Sequence, residues 1–147
     1  MAANTAPIYS KAADVQAATY IATTANADST GAGTLQTLYQ ADVTNGGFVQ
    51  KIIVKPIATT AAATTATSIR FFLSNITGAW SGNTASNTWL MGELSLVAST
   101  LSATAAQTQY EYMVNFPIPA GWRIVVGFGT TLAANTGYAC VTVAGKY

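Results

Sequence analysis

The feature that most limits the folds open to this chain is a period-two alternation of side chains, restarted after each short turn-rich stretch. From Gln109 to Phe116, Tyr110, Tyr112, Val114 and Phe116 fall on one side, while Glu111, Met113 and Asn115 fall on the other. Trp122, Ile124, Val126 and Phe128 alternate in the same way with Arg123, Val125, Gly127 and Gly129. Successive strand side chains point to opposite faces, so such runs mark half-buried antiparallel strands. Gly127 and Gly129 share a face and would admit another backbone at close range.

Segments rich in β-branched and aromatic residues recur along the chain at Ala17 to Thr23, Thr34 to Gln40, Phe48 to Ile57, Ser68 to Leu73, Thr88 to Val97, Thr108 to Phe116, Trp122 to Thr130 and Gly137 to Ala144. Pro7 to Lys11 is a ninth candidate. No helical period is sustained anywhere. Ala61 to Ala66 is alanine-rich, but Thr64, Thr65 and Thr67 lower helix propensity and nothing caps it, so it reads as a loop, as does Ala98 to Ala106. Pro117 and Pro119 punctuate two strands where a missing amide donor is tolerated. The expectation is an all-β fold: an antiparallel β-sandwich, jelly-roll-like, of eight or nine strands. Residues 1–15 read as an extended N-terminal arm and residues 16–147 as a single β-sandwich domain. At about 3.3 Å per residue the arm spans roughly 50 Å, enough to lie on a neighbouring subunit.

Composition narrows the chemistry. The 147 residues include 6 basic and 5 acidic side chains and no His, so only 7% is charged and the net charge is +1. Ala occurs 28 times and Thr 23 times, so the surface must be built largely from small neutral residues. Such a surface has little charge repulsion and favours association, which points to a subunit of something larger. No basic stripe is present for nucleic acid. No basic and apolar leader is visible, so synthesis without a signal peptide, in a cytoplasm, is expected. The uncharged run Ile124 to Gly145 is long enough for a membrane helix, but Thr130, Thr131, Asn135, Thr136 and Gly137 interrupt it and its halves alternate as strands. No membrane partner is expected. Cys140, the lone cysteine, reads as a buried structural thiol.

Without His, a Ser-His-Asp triad is impossible and the usual metal ligand is missing; no cofactor or metal is expected. Glycoside hydrolysis needs only two carboxylates, and Glu93 and Glu111 lie mid-strand, yet each is more simply explained by pairing with Arg70, Arg123 or a Lys on a sheet face. Asp28 is isolated and makes no calcium loop. Among the tryptophans, Trp80 sits in a loop rich in Gly, Ser and Asn, where it would serve either in packing or, with Asn83 and Asn87, as a sugar platform.

The runs Thr44-Asn45-Gly46-Gly47-Phe48-Val49-Gln50-Lys51-Ile52, Ile69-Arg70-Phe71-Phe72-Leu73-Ser74-Asn75, Pro117-Ile118-Pro119-Ala120-Gly121-Trp122-Arg123-Ile124 and Ala144-Gly145-Lys146-Tyr147 resemble those of small proteins encoded by tailed bacteriophages. The alanine- and threonine-rich, charge-poor texture is similar as well. That resemblance implies a non-enzymatic virion protein of the capsid decoration, or cement, type. Such proteins are β-rich, commonly form homotrimers and bind the major capsid protein at the outer shell of the virion. Ile8 and Tyr9 of the arm, with Trp80 and Tyr147, are the expected subunit or capsid contacts. The alternative is a receptor- or glycan-binding module of a tail fibre or spike.

Overall fold

The computed structural model describes residues 10–59, 62–102 and 104–147. Among these, nine strands form and no helix does: β1 (Ala12–Ala13), β2 (Gln16–Ile21), β3 (Gln36–Gln40), β4 (Gly47–Ala58), β5 (Thr67–Ser74), β6 (Thr88–Leu96), β7 (Tyr110–Ile118), β8 (Arg123–Phe128) and β9 (Thr136–Lys146). The eight main strands lie where the alternation puts them, with ends shifted by one or two residues. The ninth differs. Residues 7–9 of the Pro7 to Lys11 candidate lie outside the described residues, and the short strand found is Ala12–Ala13, paired with Lys146 and Gly145. Lys11 and Asp14, both within the expected arm, donate backbone hydrogen bonds to the carbonyls of Lys146 and Ala144.

Pairing is antiparallel throughout and follows one rule. The chain doubles back on itself at the β5–β6 connection, so that β5 meets β6, β4 meets β7, β3 meets β8 and β2 meets β9. This long hairpin is then rolled, bringing β9 against β4 and β8 against β5. Two sheets result. Sheet A runs β2-β9-β4-β7, with β1 beside the far end of β9, and sheet B runs β3-β8-β5-β6. The expected antiparallel β-sandwich is therefore present, and its core is the inward row of each sheet: Val49, Ile52, Val54, Val114, Tyr138 and Cys140 from sheet A against Ile69, Phe71, Leu96, Ile124, Val126 and Phe128 from sheet B. Aromatic stacking adds directional packing across this layer, with Phe71 on Tyr112 at 4.6 Å and Phe128 on Tyr138 at 5.8 Å. Cys140 is fully buried and burial pushes its thiol up to about 12.

β7 alternates as expected, whereas β8 is buried at all six positions. The second face of β8 is covered because two long connections, 22–35 and 75–87, fold back over sheet B. Leu35, Phe72 and Val125 make a small second cluster there with Trp80 against it. Gly127 serves that cover, and Gly129, just past β8, makes room for Ser68 of β5. A Cβ at Gly127 would lie 2.7 Å from Leu35 Cδ2, and one at Gly129 would lie 2.6 Å from Ser68 Oγ, so side chains occupy the space where a backbone was expected.

Candidate functional site

The outward sides of the two sheets are unlike. On sheet B, Arg123 is 4% exposed, and its guanidinium donates to the backbone carbonyls of Ile76 (2.9 Å) and Gly78 while lying 5.7 Å above the Trp80 ring. Trp80 Nε1 donates to Leu35 O at 2.9 Å, and the Asn83 amide donates to the carbonyls of Gly31 and Gly33. Arg70 donates to Asn26 O and pairs with Glu93. Each contact pins a loop to the sheet or to the other loop. The two loops thereby cover the middle of the outward side of sheet B, while Trp89 and Leu90 of its edge strand β6 stay 40% and 41% exposed.

On sheet A nothing comparable happens among the described residues. Its inward row is core, so the opposite row faces out: Val15 just before β2 and Ala17, Thr19 and Ile21 along it, Ala139, Val141 and Val143 along β9, Phe48, Lys51, Ile53, Lys55 and Ile57 along β4, and Glu111, Met113 and Asn115 along β7. Val15 is 61% exposed and Met113 53%. Across this row the charges are Lys51, bonded to Glu111 at 3.0 Å, and Lys55. The hydrogen bond from the Lys51 ammonium, and then that from the neighbouring amide of Gln109, hold the Glu111 carboxyl below its ordinary range. A broad apolar sheet face rimmed by polar groups is a surface suited to another protein.

The edges reinforce the contrast. Side chains of sheet A reach across the sandwich and satisfy backbone groups of sheet B. The Gln16 carboxamide donates to Gln40 O at 2.8 Å and accepts from Gln40 N at 3.0 Å, as a strand neighbour would, and Tyr20 donates to Thr37 O. On the other side, Tyr112 donates to Met91 O and Tyr110 accepts from Val97 N. Edge strands β3 and β6 are thus blunted against strand addition.

One end of the sandwich is also free of charge over long stretches. The connections 59–66, 97–109 and 129–135 contain no Asp, Glu, Lys or Arg. They are tied together by the Ala63 to Thr100 bridge, by Thr64, whose hydroxyl accepts from Ser99 N at 3.0 Å, and by Thr59 N donating to Asn135 O at 2.9 Å.

Several sequence-based assignments resolve against this geometry. Glu93 and Glu111 stand on the outward sides of opposite sheets, each paired with a cation, so no scissile bond can lie between them. The polar groups of the Trp80, Asn83 and Asn87 platform are spent inside the protein: the Asn87 amide donates to Gly82 O, and its oxygen accepts from Thr84 N and Thr88 Oγ1. Tyr147 is half-buried, its backbone N–H 3.5 Å from Gly46 O. Ile8 and Tyr9 lie outside the described residues. The row on sheet A was missed, although Ile52-Ile53-Val54 carried a signal, since three consecutive apolar residues place one on the outward side of a strand. Among the described residues no group of three or more His, Cys, Asp or Glu converges to hold a metal. No helix there is long and apolar enough to cross a membrane.

No family model matches the chain. No curated protein matches it. Among solved structures, the chain is similar to one titled "Cyanophage Pam1 capsid asymmetric unit", with 15% identity and a TM-score of 0.39, covering 97% of this chain and 91% of that one.

Proposed function

We propose that the protein is a non-enzymatic structural subunit of a tailed-phage virion, a capsid decoration or cement protein that binds the outer shell through the outward side of sheet A. The observation that carries this reading is the difference between the two outward sides. The chain spends two long loops and a buried arginine covering the middle of sheet B, and on sheet A it leaves Val15, Ile21 and Met113 exposed and Ile53 and Val141 half-buried. The resemblance of the sequence to tailed-phage proteins supplies the phage context. Binding then needs only apolar area and shape, which a surface so poor in charge provides.

In this reading the partner is the major capsid protein, the location is the virion surface, and the subunit is a homotrimer. Three modest contacts per trimer combine through effective concentration, so no single contact needs high affinity. Tyr147, just past the end of β9, is a further contact residue.

The experiment images virions of the phage that carries the gene, with the wild-type protein and with Val15→Glu and Met113→Glu. Both side chains are more than half exposed, so the fold tolerates the change to within about 0.5 kcal/mol. The surface density is expected to disappear in the double variant while the free protein melts as before. Unchanged decoration by the double variant would overturn the choice of face, and no loss of shell density on deleting the gene would overturn the role. Light scattering after size exclusion tests the trimer.

A further inference from the structure

The sandwich has an edge strand at each side of each sheet, and three of the four are closed to strand addition. On β3 and β6, side chains from the other sheet already bond the backbone. β7 carries Pro117, and its register slips opposite Val49 to Lys51, where Asn115 turns to a φ of 52°. Proline and irregular register are both devices that stop an edge from pairing. The fourth edge, β2, has none of these. From Val15 to Ile21 it holds no proline and no charge, and its register on β9 is unbroken.

The register also fixes which backbone groups of this edge are free. Along an antiparallel strand, residues that exchange both hydrogen bonds with the neighbouring strand alternate with residues whose N–H and C=O point away from it. Asp14 N donates to Ala144 O and Ala22 N to Thr136 O. Between them the pairing is uniform, from Gln16 on Thr142 to Ile21 on Gly137. The even-numbered residues therefore bond β9, and the N–H and C=O groups of Val15, Ala17, Thr19 and Ile21 point away from it, unbonded among the described residues. The side chains of the same four residues are exposed on the outward side of sheet A. Their order is symmetric about Ala18, with small side chains next to it at Ala17 and Thr19 and β-branched apolar ones further out at Val15 and Ile21.

We propose that β2 is the contact with a second copy of the chain: the two β2 strands pair antiparallel about a two-fold axis at Ala18 and join two copies of sheet A into one continuous sheet. In this register Ala17 stands opposite the partner's Thr19 and Val15 opposite the partner's Ile21, so every free N–H of the edge meets a free C=O, and the apolar outward rows run on from one copy to the next. Gln16 and Tyr20 point to the other side and keep their bonds to β3. No charge in the segment opposes the approach. The paired segment is about 23 Å long at 3.3 Å per residue, which places the contact among the weak, reversible interfaces below about 1,200 Å². A self-complementary contact closes at two copies. It is therefore separate from any three-fold contact, would join subunits of different trimers, and does not rest on the virion reading.

The test writes charges into the register. Ala17 and Thr19 are exposed, so the fold tolerates changes at both. Ala17→Lys with Thr19→Lys sets like charges directly opposite one another across the axis, whereas Ala17→Lys with Thr19→Glu sets opposite charges there. Sedimentation equilibrium of the full-length protein from about 1 µM to 1 mM is expected to show pairwise association of the wild type and of the second double variant, and association about tenfold weaker or more in the first. Ala17→Pro removes an N–H that points away from β9, so it spares the ladder of the fold and should abolish pairing at an unchanged far-ultraviolet circular dichroism spectrum. Equal association of the two double variants would overturn the proposal, as would pairing that survives Ala17→Pro. A wild type of one constant mass over the whole range would overturn it too. If that mass were a trimer's, the virion reading would stand without this contact, whereas pairing by a protein absent from virions would overturn that reading alone.

Discussion

Arg123 is the sharpest place to perturb the difference between the two sides. Its guanidinium is almost fully buried without a carboxylate partner, and it is stabilised by two loop carbonyls and the Trp80 ring. Hydrogen bonds to charged groups contribute roughly 1.5–3 kcal/mol each, and a cation over an aromatic ring about 0.5–2 kcal/mol. Arg123→Met keeps the stem packing and removes these contacts. Part of the loss is returned, because the buried charge no longer has to be desolvated and the freed carbonyls of Ile76 and Gly78 can turn to water. The net cost is about 2–3 kcal/mol, which for a chain of this size lowers Tm by roughly 5–10 °C. The effect is local before it is global. Hydrogen exchange should speed first at the Trp80 indole and in 75–87, well below Tm, while β4 and β9 keep their protection. Loosening this loop exposes Leu35, Phe72 and Val125, so the variant should also self-associate more than the wild type. A Tm within 1 °C of wild type, with unchanged exchange at the Trp80 indole, would refute the claim that this arginine holds the cover in place.

Three further outcomes follow from individual residues. The Thr142 hydroxyl is buried in the core with no partner among the described residues, so Thr142→Val should raise stability by about 1–2 kcal/mol, whereas Ser74→Ala, which removes a hydroxyl bonded to Asn87 O and Thr88 Oγ1, should lower it by about 1–3 kcal/mol; paired urea melts decide. At Gly92 a Cβ would overlap the Tyr112 hydroxyl and ring, so Gly92→Ala should displace the tyrosine from Met91 O and cost about 1–3 kcal/mol, read by calorimetry with Tyr112→Phe as the reference for the lost bond alone. Stability against pH should be flat between about 5 and 8.5, for want of any His. Asp28, Asp42 and Glu111 are held below their ordinary pKa, chiefly by hydrogen bonds from Thr30, Asn45 and Lys51 respectively. Their contribution is present above the unfolded carboxylate range and is lost as pH falls through the folded values. Burial raises Cys140 to about 12 and pushes Tyr20 and Tyr39 up, so the folded state keeps protons that the unfolded chain releases, and stability declines as pH climbs past about 9. Tm measured across pH 2 to 11 checks both limbs.

How much of this was legible in the sequence depends on which interaction decides each feature. The strands were readable because alternation is local: Tyr110, Tyr112 and Val114 against Glu111 and Met113 fixes both the conformation and the face of β7. The full burial of β8 was not readable, since it depends on residues far away in sequence, Leu35 and Trp80, folding over Val125. Arg123 looked like an exposed sheet residue for the same reason; carbonyls, which every residue has, stabilise it, so no partner charge advertised its burial. Trp80 and Asn83 resembled a binding platform because aromatic and amide side chains in a Gly- and Ser-rich loop serve equally well to bind a ligand or to fasten the loop. Only the direction of their hydrogen bonds, into Leu35 O, Gly31 O and Gly33 O, distinguishes the two.

The candidate interface is therefore set by where the loops go more than by what the strands contain. The outward rows of both central strand pairs are apolar: Phe72 and Val125 on sheet B, Ile53 and Val141 on sheet A. Rolling the hairpin places the long connections 22–35 and 75–87 at opposite ends of sheet B, and they meet over it through Asn83 and Gly31. On sheet A the incoming chain crosses at Ser10, over Gly145. Val15, Ile21, Ile57 and Val141 lie beyond it. If that remaining area is what a larger assembly buries, substitutions there should change assembly without changing the fold, and substitutions in the loops of sheet B should change the fold before they change assembly. A set of sheet B loop variants that disrupted assembly at unchanged Tm would show that the roles of the two sides had been assigned the wrong way round.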